Sequence, residues 1–264
     1  MKEKIIQATL LIATMVFCAS GFPSLAQSSK SAEKDPKAEE IFTLNNQADA
    51  YSKSEQYEKA IELLQRAVRL APESAPTLRN LGVVYLNADQ PQLAVEAFEQ
   101  SLRRKPNDPK TYFDLGLGYL GCGRYKSAVE ALEKANRLNP DSSAAYTALG
   151  SAYAHLGRTE DAIEAVREAV TINPNFAAAH ANLGILLMRA GQQREATDSL
   201  KKAVRLEPNS AEARFALGVL SLTRHDRKGA LTQYALLRTL SPELANRLYH
   251  TIYGGAYLLA LEKR

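Results

Sequence analysis

Tyr146-Thr147-Ala148-Leu149-Gly150-Ser151-Ala152-Tyr153 is the stretch whose reading decides the fold. Tyr146, Leu149, Gly150 and Tyr153 follow one another at steps of three and one and three, which places them on one face of an α-helix. Further on, Ala162, Val166 and Ala169 form a second stripe at helical spacing. Gly157 stands between the two, where a left-handed helix end suits glycine. One stretch therefore predicts two amphipathic helices joined by a tight turn. Gly150 and Ala162 are small, so the two backbones can come close. A larger side chain at either position would push the pair apart.

The same pattern recurs along the chain. Prolines fall at Pro72, Pro106, Pro140, Pro174, Pro208 and Pro242, each 34 residues apart. Alanines keep that step at Ala60, Ala94, Ala128, Ala162, Ala196 and Ala230. So do Gly82, Gly116, Gly150, Gly184 and Gly218, with Ala48 in the first copy. Three residue classes held in phase over six copies are the signature of a solenoid. The units start at Ile41, Ala75, Pro109, Ser143, Ala177 and Ala211, giving repeats 41–74, 75–108, 109–142, 143–176, 177–210 and 211–244 within a block spanning 39–244. Ser74, Asp108, Ser142 and Ser210 are the expected N-caps of the following units. Pro109 sits in a favoured first-turn place.

These motifs resemble the tetratricopeptide repeat (TPR) family, and the resemblance covers 41–244. Its large-Leu-Gly-Tyr signature is carried by Tyr112-Leu115-Gly116-Tyr119 and Tyr146-Leu149-Gly150-Tyr153, its Ala-aromatic-Pro signature by Ala94-Phe98-Pro106. Departures are Gln47 for leucine, Leu187 and Ser221 for tyrosine, and Ser101 and Leu237 for a small alanine. The expected fold is all-α: a right-handed α-solenoid of six helix-turn-helix repeats with a C-terminal capping helix.

Outside the repeats, Lys2 and Lys4 precede a mostly apolar stretch from Ile5 to Ala19. Ser24-Leu25-Ala26 then offers small residues three and one before a cut. Residues 1–26 have the layout of a secretory signal peptide, so export to the periplasm or the outside is expected. An uncleaved N-terminal membrane anchor is the alternative. Residues 27–38 are small and polar and read as a flexible linker. Residues 245–264 form the cap and an apolar tail. Leu244, Leu248 and Ile252 could cover the last repeat, Gly254-Gly255 is expected to break the helix, and Tyr257-Leu258-Leu259-Ala260-Leu261 either packs back on repeat six or serves as a docking or dimer contact, the latter giving a homo-oligomer through the tail.

Lys plus Arg number 33 against 29 Asp plus Glu, a net charge of +4. The signs alternate along the chain without a basic block, which gives nucleic-acid binding no support. Beyond residue 26 only Cys122 is left, so no internal disulfide can form. Its place in Gly121-Cys122-Gly123 reads as a tolerated turn residue. His155, His180, His225 and His250 show no metal-ligand spacing, and His180 falls on a packing position. Gly116-Leu117-Gly118 lies inside a helix with no strand before it, unlike a phosphate loop. Glu62/Arg66, Glu99/Arg103 and Glu130/Lys134 are four apart on second helices, a solvated face. No enzyme, cofactor or metal is expected.

The resemblance implies that first helices line a concave groove that binds peptides. Repeat positions 2, 5, 6, 9, 12 and 13 face it in the family. Carried over, these give Asn46 and Asp49; Arg79, Asn80 and Val83; Lys110, Phe113, Asp114 and Leu117; Thr147, Ser151 and His155; Asn182, Ile185, Met188 and Arg189; Phe215 and Val219. Asn46, Asn80 and Asn182 share position 6, where asparagines of some family members bond a ligand backbone. Asp114, Ala148 and Ala216 interrupt that series. The basic clamp of chaperone-tail-binding members is not matched at Asn45 and Asp49. Leu86, Leu120 and Leu222 belong to packing between repeats. Phe113, Leu117, Ile185 and Phe215 are the expected exposed anchors, and Arg79, Lys110 and Arg189 the expected charges. The implied partner is a protein or peptide with an acidic group and apolar anchors. The alternative function is a structural subunit of a cell-envelope complex, contacting partners through outer faces and the tail.

Overall fold

The computed structural model describes residues 35–261, with 255–261 described as backbone alone. The expected signal peptide and most of the expected linker lie outside these residues, as do the side chains of the apolar tail. Among the described residues there are thirteen helices and no strand, and no helix is long and apolar enough to cross a membrane. The chain is an all-α helical-repeat solenoid. It divides into two compact units, which meet in sequence at Asp141 and Ser142.

The first unit holds three helical pairs: α1 (Pro36–Lys53) with α2 (Tyr57–Leu70), α3 (Ala75–Asn87) with α4 (Pro91–Arg104), and α5 (Pro109–Gly121) with α6 (Tyr125–Leu138). Helix α1 begins before the expected repeat boundary because Asp35 caps it, accepting from the Lys37 N–H at 3.0 Å, and Pro36 starts its first turn. The polar residues 36–38 are therefore helical, not linker. Within each pair the small residue of the first helix receives a large side chain of the second. A Cβ added to Gly82 would lie 2.5 Å from Phe98 Cε1, and one on Gly116 would lie 2.5 Å from Leu132 Cγ. Gln47 stands where later repeats bury leucine, and it is exposed. Ser101 is buried in place of alanine because its hydroxyl donates to the Ala75 carbonyl at 2.8 Å.

The second unit repeats this plan with α7 (Ser143–His155) and α8 (Thr159–Ile172), α9 (Ala177–Arg189) and α10 (Gln193–Leu206), and α11 (Ala211–Thr223) and α12 (Arg227–Leu240). It adds α13 (Pro242–Leu261). A Cβ on Gly150 would overlap Val166 Cγ2 and stand 3.0 Å from the Ala162 carbonyl oxygen. The last pair differs. Its second-helix residue at the equivalent position is Tyr234, and Leu248 of α13 fills the notch over Gly218 instead. Leu248 is fully buried and Ile252 nearly so. The expected break at Gly254-Gly255 does not occur, since α13 runs through both glycines. Each costs a helix only about 1 kcal/mol relative to alanine, which the anchoring of the preceding turns offsets.

The turns inside the pairs share one geometry. Residues 55, 89, 123, 157, 191 and 225 all have φ between 56° and 76°. Gly123, Gly157 and Gly191 were legible as such. Glu55, Asp89 and His225 hold the same left-handed conformation without glycine. In every copy the next residue's N–H returns to a carbonyl five back, as from Gln56 to Tyr51 at 2.9 Å and from Arg158 to Tyr153 at 3.0 Å. This is the Schellman closure, and it recurs whether or not glycine is present. Ser74, Asp108, Ser142 and Ser210 cap their helices as expected. The fifth repeat has Phe176 there and lacks a side-chain cap. Its start is tied instead by His180, buried, with Nε2 2.9 Å from the Pro174 carbonyl oxygen. The half-buried Cys122 closes α5, and burial pushes its thiol pKa up. That favours the inert protonated form.

Candidate site on the first helices

In the first unit, α1, α3 and α5 lie side by side, and their polar residues pair across the repeats. Asn80 Nδ2 donates to Asn45 Oδ1 at 2.9 Å, and Asn45 Nδ2 donates to the Ile41 carbonyl at 2.8 Å. Arg79 Nε donates to Asp114 Oδ2 at 2.6 Å. Asp114 is 2% exposed. Burial raises its pKa to about 6, outweighing the Arg79 cation that acts the other way. Asn46 and Lys110 are exposed, and Val83 and Phe113 are half-buried. Leu117 is 8% exposed, which corrects the expectation of an exposed anchor. It is drawn inward because its helix packs on neighbours from both sides. Arg79 is likewise held by Asp114 rather than left free.

The Asp114 carboxyl makes a pH prediction. Its folded pKa lies above the ordinary 3.8, so the folded chain binds the proton more tightly than the unfolded chain. Stability from this group is full below about pH 4 and is lost as pH rises through about 6, by on the order of 2–3 kcal/mol. Asp114→Asn should therefore gain on the wild type between about pH 4.5 and about pH 7.5 in urea unfolding. A stability difference independent of pH would contradict this assignment.

In the second unit, α7, α9 and α11 present the remaining residues. Thr147 is buried, and its hydroxyl donates to the Ser143 carbonyl at 2.8 Å. Asn182, 8% exposed, reaches Ser151 Oγ at 3.5 Å. Ile185 is also 8% exposed, so it too is buried rather than an exposed anchor. Arg189 is exposed, and partial desolvation lowers its pKa. Between α7 and α9 lies a small surface pocket lined by Ser151, His155, Asn182, Ile185 and Arg189. Phe215 is half-buried beneath the guanidinium of Arg247, 4.9 Å from the ring centre. Arg247 belongs to α13, outside the repeat phase, so no periodic signal could have pointed to it. Among the described residues, no group of three or more His, Cys, Asp or Glu could hold a metal ion.

The sequence matches, over residues 2–246, the family described as the cilia and flagella-associated protein 70 C-terminal domain. The chain belongs to this TPR family. No curated protein matches it. Among solved structures it is similar to PilF of Pseudomonas aeruginosa, with a TM-score of 0.70 and 20% identity over 82% of this chain and 99% of that one. It is also similar to a thermophilic TPR protein of Thermus thermophilus, at TM-score 0.59 and 27% identity over 67% and 97% of the two chains. YrrB, described as a TPR protein with an unusual peptide-binding site, gives TM-score 0.53 and 22% identity over 70% and 96%. PilF and YrrB speak to the fold alone. TPR family membership suggests a protein-interaction scaffold with protein or peptide partners, in a class that is generally non-catalytic.

Proposed function

We propose that the chain is a non-enzymatic scaffold that holds a peptide or protein segment on the first-helix faces of its repeats. We also propose that it is exported, with cleavage between Ala26 and Gln27. N-terminal sequencing of the mature protein should begin at Gln27, and recovery of intact Met1 in a membrane fraction would favour the anchored alternative.

One observation carries the binding reading. Polar side chains of successive first helices are bonded to one another, through Asn45–Asn80, Arg79–Asp114 and Ser151–Asn182. Side chains ordered before a ligand arrives lower the entropic cost of binding. Beside them, Phe113, Val83 and Lys110 retain exposed surface. A partly buried aromatic anchor can carry about 2 kcal/mol or more of binding. A rim charge mainly alters on-rate and salt dependence. With a captured partner, Phe113→Ala should weaken binding by at least about thirtyfold, and Lys110→Ala by much less at physiological salt.

The reading as a structural subunit has its own support. Leu236, Leu240, Tyr249 and Tyr253 are each 36% exposed or more on α12 and α13. Tyr249 and Tyr253 meet with ring centres 4.5 Å apart and planes tilted by 40°. If joint Tyr249→Ala and Tyr253→Ala abolishes partner binding while Phe113→Ala leaves it unchanged, this reading replaces the first.

A further inference from the structure

Among the described residues, buried polar side chains are bonded to other protein groups with one exception. The hydroxyls of Ser101 and Thr147 donate to backbone carbonyls. His180 meets the Pro174 carbonyl, and Asp114 meets Arg79. Asn80 and Asn182 each reach a residue of a neighbouring first helix. Asn136 is 6% exposed, and neither its Nδ2 nor its Oδ1 has a protein partner. Buried polar groups are bonded almost without exception in folded proteins, so an amide left over at both atoms calls for a reason.

The place that Asn136 occupies is otherwise apolar. It stands on α6, and the residues at the same point of the second, fourth and fifth repeats are Leu102, Val170 and Val204, with Val68 in the first. Each of these packs with an apolar cluster. An amide brought into such a place gives up its bonds to water on folding and recovers none from the protein. An aliphatic side chain there would gain from burial instead. Helix α6 is therefore held less firmly than α4, α8 or α10. In a repeat array each unit is stabilised by itself and by its nearest neighbours, so a deficit in one helix decides where the array parts. Here it falls in the last helix of the first compact unit, shortly before the division at Asp141.

We infer that Asn136 is a built-in weak point at which the solenoid opens, so that the first three repeats and the last three unfold in separate steps rather than together. The buried amide sets the position of that opening. An aliphatic residue, as in the other repeats, would close it. The inference concerns how the array yields and does not depend on which face binds a partner.

Native-state hydrogen exchange of the full chain, followed amide by amide below the urea midpoint, tests this. In the wild type, amides of α3–α6 and amides of α8–α10 should exchange with two distinct urea dependences. Asn136→Val should slow exchange of the α6 amides by at least about fivefold, from the removal of an unpaired buried amide. It should also draw the two dependences together. Asn136→Leu repeats the test with the side chain found at Leu102, in case valine leaves a void. A single urea dependence shared by all these helices in the wild type would overturn the inference. So would α6 exchange that is unchanged or faster in both variants.

Discussion

Phe98→Ala should cost about 3–5 kcal/mol of stability, the range for removing a large buried aromatic side chain. Phe98 is fully buried, and its ring fills the space that Gly82 leaves open. Alanine would leave a cavity among Val95, Leu102 and Leu115, which share its apolar cluster. The loss should centre on the first unit, since each repeat contacts its neighbours alone. Hydrogen exchange would show deprotection of α3–α6 ahead of α9–α12. A change below about 1 kcal/mol would mean that the ring is not the wedge between the helices.

Gly150→Leu approaches the same kind of notch from the opposite side. A Cβ at that position meets Val166 and the Ala162 carbonyl oxygen. The side chain can move, but the carbonyl is backbone and belongs to the ladder of α8. Leucine there must separate α7 from α8, and overpacking of this kind costs about 1–3 kcal/mol. The backbone obstacle places the effect at the upper end, despite the better helix propensity of leucine. Thermal unfolding decides the point, and an unchanged midpoint would refute the repeat phase itself.

The fold was legible in the sequence because its determinants are local and repeated. The notch at Gly82, Gly116, Gly150 and Gly184, the wedge opposite it, and the serine and aspartate caps each recur at the repeat step. What was not legible depends on context that periodicity does not carry. Glu55, Asp89 and His225 adopt the left-handed turn because hydrogen bonds on both sides impose it, although side chains with a Cβ disfavour that region. Helix α13 crosses Gly254-Gly255 because Leu248 and Ile252 bind its first turns to the last repeat.

The first-helix surface was legible in position but not in exposure. Position in the repeat says which way a side chain leaves the helix. It does not say whether the adjacent helix will cover it. Leu117 and Ile185 are covered in this way, and Asp114 is taken up by Arg79 across one repeat. Lys110 and Arg189 stay exposed and Phe113 half-buried. The pairing of Asn80 with Asn45 also required structure, since the two come from different positions of their repeats.

Site-specific photo-crosslinking in the source cell tests the central claim most directly. A benzophenone amino acid is placed at Val83 or Phe113 on the first helices of the first unit, at Arg189 in the second, and at Glu130 or Lys134 on a second helix. With the partner on the first-helix face, the first three positions should crosslink to the same protein and the last two should not. Crosslinks confined to Glu130, Lys134 or the surface around Tyr249 and Tyr253 would contradict the account.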